Sequence, residues 1–312
     1  GYFWAGSEDR QYRGNIELYS TTDNKFNLIN IVNMSEYLFS VVPSEMPASW
    51  PKDALKAQTI AARSYAFKHL NKHKNDGYNL CSSVHCAAYK GLISEHERTT
   101  EAVIKTRGEV ATYKGNIIDA VFSSNSGGYN ESSKDVWGSK LPYLDGTNNM
   151  IDNKYSFPLN PVELNDWLKE EPASYSQNKM YTVGNSYRWV KILSASYLVR
   201  KYDLKKLNNI IILGRSKGGS VVEIKLIGDN KKIKIDKDSI RSALGGLRSN
   251  RILINRIYDN QGNIEKLLIY GSGWGHNVGM DQTAAADMSE RGFKYEKIIK
   301  HFYTDTKIKA LY

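Results

Sequence analysis

The chain has 312 residues, a formal net charge of +10, 41% apolar residues and 24% charged ones. That balance excludes a disordered polypeptide, and the length leaves room for a sizeable core in one large domain or a few smaller ones. No apolar run reaches the roughly 18 residues a spanning helix needs, and the positive charge favours an anionic partner, although the lack of a dense Arg/Lys block weighs against nucleic acid.

The opening stretch, residues 1–6, is too short for the apolar region of a signal peptide. Residues 10–42 alternate apolar and polar side chains in short runs, which predicts a hairpin or small sheet followed by a short helix over 33–42, capped by Asn33 or Ser35. Residues 51–74 carry the strongest helical periodicity: Pro51 suits a first turn, and Ala54, Leu55, Gln58, Ala62, Tyr65, Ala66 and His69 recur at near-helical spacing. A loop over 78–90, a helix over 95–105 and a hairpin turning at Lys114-Gly115 follow. Small polar residues then break the pattern over 123–128. Residues 151–250 are lysine-rich and mixed, and read as an accessory α/β lobe of small helices and hairpins. A catalytic core over 10–150 and its C-terminal part over 251–312 would flank it. The expected class is α+β, with mixed helices and small antiparallel sheets around a central substrate cleft.

Several side chains have the chemistry of a site. Glu45 lies in Ser44-Glu45-Met46-Pro47, near Trp50. A carboxyl walled by apolar groups can serve as a general acid, and the competing reading is a surface residue on a loop. Arg63 interrupts an alanine-rich helix, where it would either orient a substrate anion or make a structural ion pair. His69 and His73 are four apart, so one helix face would carry both. With Cys81 and Cys86 they make a tetrahedral zinc set, His85 being an available substitute for either histidine; a free or disulfide-bonded cysteine pair is the alternative. Ser124 and Ser126 offer hydroxyls to a polar ligand, and His276 and Gln282 sit in or beside a glycine-dense turn over 271–279.

Four stretches resemble one family. Val42 to Pro47, Ala54 to Tyr65, Phe122 to Gly128, and Gly273 to Met280 with Gln282 are similar, in that order, to stage II sporulation protein D, a peptidoglycan lytic transglycosylase family. The chain departs from the family's usual ending at Asn277, Asp281 and Thr283-Ala284, and the two cysteines are not general to the family. The resemblance implies that Glu45 is the catalytic acid and base. It implies cleavage between N-acetylmuramic acid and N-acetylglucosamine in glycan strands already stripped of peptides, giving 1,6-anhydro products during spore engulfment. It also implies an N-terminal membrane anchor absent from this chain, an extracytoplasmic place at the mother-cell membrane facing the forespore, and partnership with a sporulation amidase and a multi-spanning membrane protein. Zinc, held by Cys81, Cys86, His73 and His69, would be structural, and the glycan chemistry would need no cofactor. The alternatives are a zinc-dependent cell-wall hydrolase and a noncatalytic peptidoglycan-binding scaffold.

Overall fold

The structure, a computed structural model, describes residues 9–20, 25–152 and 154–312; the opening stretch 1–6 lies outside them. It is a mixed α/β fold with small antiparallel sheets, in agreement with the expected class. Contacts divide it into two compact units. The first holds the described residues up to Val121, with Gly292–Ile299 and Thr306–Tyr312; the second holds Phe122–Arg291 and Lys300–Asp305.

In the first unit, β1 (Asn15–Ser20) and β2 (Phe26–Ile31) form an antiparallel hairpin with Leu18 opposite Leu28. Helix α1 (Met34–Glu45) starts at Asn33, whose side chain accepts the Glu36 N–H at 3.0 Å. The helix runs three residues past the expected end and includes Pro43. Proline brings no N–H to the helical ladder. The next turn is nevertheless closed by the Ser44 hydroxyl donating to the Ser40 carbonyl at 2.9 Å and by Met46 N–H donating to the Val42 carbonyl at 2.9 Å.

Helix α2 (Lys52–Lys68) begins where Pro51 predicts, and Ala54, Ala57, Ala61, Ala62 and Ala66 are buried along it. It stops at Lys68, six residues before the expected end. Helices of this length depend on a packed apolar face, and no residue from 67 to 85 is buried. Helix α3 (Glu97–Lys105) packs on α1 and α2. Strand β3 (Glu109–Tyr113) pairs with the two-residue β4 (Asn116–Ile117) and with the C-terminal strand Lys307–Ala310. Lys114 and Gly115 both have positive φ, 49° and 82°, as a two-residue hairpin turn requires.

The second unit is built on two three-stranded antiparallel sheets. One is ordered Lys232–Asp236, Val221–Gly228, Leu207–Arg215; the other Ile252–Tyr258, Ile264–Ser272, Arg188–Ser194. Their apolar faces share a core that includes Leu198, Ile224, Leu226, Ile240, Ile252, Leu267 and Ile269. A polar core lies beside it, where Arg251 and Glu131 form an ion pair at 2.6 Å with both side chains essentially without solvent contact.

Candidate functional site

Glu45 is the last residue of α1, so it is a helix terminus rather than the loop residue expected. Its position follows from the local fold: Leu38, Val41 and Val42 bury one face of α1, and Met46 and Trp50 are buried just beyond it. Glu45 Oε1 accepts the Ala88 N–H at 2.9 Å. Burial pushes its carboxyl above the usual carboxylate range, while the Ala88 N–H and the charge of Lys90 pull the other way. The neighbouring Tyr37 phenol is also pushed up, first by burial and then by the nearby thiols and Glu45. A carboxyl held this way keeps its proton to higher pH than a solvated one.

Ala88 belongs to the loop that also carries the thiols. His73, Cys81, His85 and Cys86 bring their ligand atoms within 4.8 Å of one another. The Sγ atoms of Cys81 and Cys86 lie 3.7 and 4.0 Å from His85 Nδ1. A regular zinc tetrahedron of two imidazoles and two thiolates with ordinary bond lengths has edges of about 3.3 to 3.8 Å. His73 Nε2 is buried with no hydrogen-bond partner, and His73 Nδ1 is 2.9 Å from Asp76 Oδ2. A carboxylate on the far nitrogen is the arrangement that orients a metal-binding imidazole. Burial raises the Cys81 thiol, but hydrogen bonds from Ser83, His85 and Cys86 outweigh it and bring it down to about 6, whereas burial pushes Cys86 up. The residues present fit a metal that takes two imidazoles and two thiolates. His73, Cys81, His85 and Cys86 could hold it, and the cysteines are not in a disulfide.

His69 is not in this set. It caps the C-terminus of α2, and its Nε2 lies 2.9 Å from Asp119 Oδ1 with its ring against Tyr65. The expected pairing of His69 with His73 assumed a helix through residue 74. Because α2 ends at Lys68, the four-residue spacing no longer puts both rings on one face, and the loop histidine takes the place.

Arg63 is fully buried. Nη1 donates to the carbonyls of Thr106 at 2.7 Å and Glu109 at 2.9 Å, and Nη2 to that of Val103 at 3.3 Å. Burial lowers its guanidinium to about 10. It satisfies carbonyls at and beyond the end of α3, so it serves packing rather than the substrate anion expected of it.

Ser124, Ser126, His276 and Gln282 lie in the second unit. Ser126 is fully buried, and its hydroxyl donates to Asp281 Oδ2 at 2.6 Å and accepts from Asn149 Nδ2 at 2.9 Å. That commits it to the interior, against the ligand contact expected. Asp281 also accepts from Ser126 N, Ser176 Oγ and Ala284 N; burial pushes its carboxyl up and these donors pull it back. Ser124 offers its carbonyl to Thr283 N and Oγ1 at 3.2 and 3.0 Å. His276 is half-buried, accepts the Val278 N–H at Nδ1 and lies against Trp137 at 5.1 Å. Gln282 is buried as the first residue of helix Gln282–Glu290. Sequence reasoning passed over Asp76 and the Ala88 N–H. Asp76, three residues after His73, carries a signal in its spacing; the Ala88 N–H, a backbone group, carries none.

Residues 22–113 match the family described as stage II sporulation protein (SpoIID), and residues 131–279 match a domain of unknown function (DUF8618). The chain belongs to the SpoIID family. It is homologous to stage II sporulation protein D of Bacillus subtilis, with 26% identity over 309 residues, covering 94% of this chain and 78% of that protein. An uncharacterized protein of Brachyspira hyodysenteriae is 28% identical over 299 residues, covering 96% of this chain and 72% of the relative. The amidase enhancer of Bacillus subtilis is 26% identical over 294 residues; these cover 87% of this chain and 40% of that longer protein, so the chain spans less than half of it. No helix among the described residues is long and apolar enough to cross a membrane.

Proposed function

We propose that this chain modifies peptidoglycan during sporulation, as an extracytoplasmic enzyme that cleaves peptide-stripped glycan strands with Glu45 as acid and base. The observation that carries this reading is the Glu45 carboxyl itself, half-buried at the end of α1 beside buried Met46, raised by desolvation and fixed through Oε1 by the Ala88 N–H. Protonated Glu45 donates to the glycosidic oxygen as the bond to the anomeric carbon breaks. The muramyl 6-hydroxyl attacks that carbon and returns its proton to Glu45, leaving a 1,6-anhydro sugar. One carboxyl serves both steps because the substrate supplies its own nucleophile, unlike the paired carboxyls of the hydrolases. A sporulation amidase would supply the stripped strands, and a multi-spanning membrane protein and an N-terminal anchor would hold the enzyme at the mother-cell membrane.

A second reading, a metal-dependent cell-wall hydrolase, has the more complete constellation behind it: four ligands from His73, Cys81, His85 and Cys86. Catalysis there would need one ligand to yield a position to water, since four protein ligands close a zinc site. With all four in place the metal would serve structure, fastening the loop that presents Ala88 to Glu45. A noncatalytic scaffold would bind glycan and release nothing. Mass spectrometry of products from peptide-free strands separates the three. The first reading expects anhydromuramyl ends from the native chain and none from Glu45→Gln. Reducing ends that vanish with the metal support the hydrolase, and binding without products supports the scaffold.

A further inference from the structure

Five of the six tryptophans lie among the described residues, and Trp50, Trp167 and Trp189 are buried. Trp137 and Trp274 are 39 and 38% exposed, and both meet the glycine-dense turn of the second unit. Trp274 belongs to that turn. Trp137 closes the short helix Ser133–Trp137 and lies 5.1 Å from the ring of His276, two residues after Trp274. Cα atoms two residues apart are at most about 7 Å apart, so both contacts fall on one short stretch of backbone.

That stretch is firmly held. Trp274 N–H donates to the Asn125 carbonyl at 2.7 Å, and Asn125 N–H to the Trp274 carbonyl at 3.2 Å. Gly275, at φ 115°, lies so close to Ser123 that an added Cβ would stand 2.7 Å from the serine Cβ. Its N–H donates to the Arg248 carbonyl at 2.9 Å, and the Arg248 guanidinium lies over the Trp274 ring at 4.4 Å.

Arg248 differs from the other arginines of this unit that are buried or half-buried. Arg188, Arg215, Arg241 and Arg251 each donate to carbonyls, and Arg241 and Arg251 to a carboxylate as well. Arg248 is half-buried, yet among the described residues its guanidinium has no hydrogen-bond acceptor and no ion pair, and Nη1 is buried without a partner. A guanidinium stacked on an indole face keeps its in-plane donors available to a planar acceptor, and a carboxylate takes two of them in parallel. Exposed aromatic faces beside an unpaired planar cation suit an acidic sugar. In the strands proposed as substrate, that sugar is N-acetylmuramic acid after removal of its peptide. The peptide is joined to the lactyl group through a neutral amide, and stripping leaves a carboxylate in its place.

We propose that Arg248, stacked on Trp274, binds the lactyl carboxylate of a peptide-stripped muramyl residue, with Trp274 and Trp137 as walls for the sugar rings. The site thereby tells stripped strands from peptide-bearing ones. This assignment rests on the glycan reading above, but it concerns binding and is tested apart from cleavage.

The test is calorimetry on the whole chain carrying Glu45→Gln, so that the ligand is not consumed. One probe is a stripped tetrasaccharide of alternating N-acetylglucosamine and N-acetylmuramic acid; the other is the same molecule with its lactyl carboxyls converted to methylamides. The carboxylate form should bind about tenfold or more tighter, and the difference should shrink as salt is raised from about 0.05 to 0.5 M. Adding Arg248→Met should bring the two forms level while leaving the affinity for the methylamide and the melting temperature unchanged. Arg248→Lys keeps the charge without the planar fork and should retain only part of the preference, which serves if the Met variant does not fold. Trp274→Ala should weaken both forms. Equal affinity for the two forms before Arg248 is changed overturns the proposal, as does an undiminished preference in the Arg248 variants. Equal weakening of both forms by Arg248→Met would give Arg248 a structural role and overturn it too. In each of these cases the glycan reading stands. Binding of neither form overturns the proposal, and the products from peptide-free strands then decide the glycan reading separately.

Discussion

A carboxyl works as an acid near neutrality only if its surroundings disfavour the anion, and burial supplies that at Glu45. The proposed cleavage should therefore decline on the alkaline side as pH rises through the raised Glu45 pKa, since only the protonated form can donate. Stability moves in the same sense. The folded chain holds this proton over the interval between the ordinary carboxylate value and the raised one, while the unfolded chain has lost it. Folding is accordingly weakened as pH climbs through that interval. Glu45→Gln should remove this part of the pH dependence along with product, measured by urea unfolding across pH and by product release. At the thiol cluster, His85→Ala should drop metal content from near one ion per chain to near zero, whereas His69→Ala should leave it unchanged. Metal analysis of protein purified without added zinc reads both. A chain that loses its ion on His69→Ala would restore the set expected from sequence. The cysteines were legible from spacing alone. The choice between histidines was not, because it turned on where a helix ends.

Helix ends were the least legible elements. The start of α2 is written in Pro51, which suits a first turn. Its end carries no glycine or proline before Gly77, and the periodicity that suggested six more residues had no core to face. At the other end of the same reasoning, α1 continued through Pro43, a residue that usually warns of a stop. Arg63 shows how a charged side chain misleads when its target is backbone. Its guanidinium meets the carbonyls of Val103, Thr106 and Glu109, which sequence cannot display. Arg63→Met fills similar space but leaves those carbonyls without their donor, so it should cost about 2–4 kcal/mol. Arg63→Lys keeps the charge with fewer donors and should cost less. Chemical denaturation midpoints give the comparison, and an Arg63→Met chain as stable as the native one would remove the packing role assigned here.

At the scale of the whole chain, the mixed class followed from short alternating runs beside amphipathic ones. The return of the C-terminal strand Lys307–Ala310 to pair with β3, nearly two hundred residues earlier, had no local signal. Interior polar groups give the molecule a pH response as well. His301 is lowered to about 4 by burial, with Nε2 against Asn149 Oδ1 at 2.8 Å. Its folded pKa lies below its ordinary value of 6.5. The unfolded chain therefore binds the extra proton between pH 6.5 and about 4, and folding loses stability as pH falls through that window. The loss from this one group is at most about 3 kcal/mol. His301→Gln should flatten the slope there, read from unfolding free energies at several pH values. A native-like slope in that variant would assign the response to other groups.

Glu45 closes α1, and the last turn of that helix contains no basic residue. Peptide dipoles aligned along a helix leave partial negative charge at its carboxyl end. A carboxylate standing there faces a like-signed pole with no lysine or arginine in the turn to offset it. In the proposed chemistry this acts twice in each turnover. It keeps the resting carboxyl protonated until the leaving oxygen takes the proton, and it then disfavours the anion left behind. The incoming hydroxyl proton then relieves that anion, so the resting acid is restored by the direction of the helix axis as well as by the partial burial of the carboxyl.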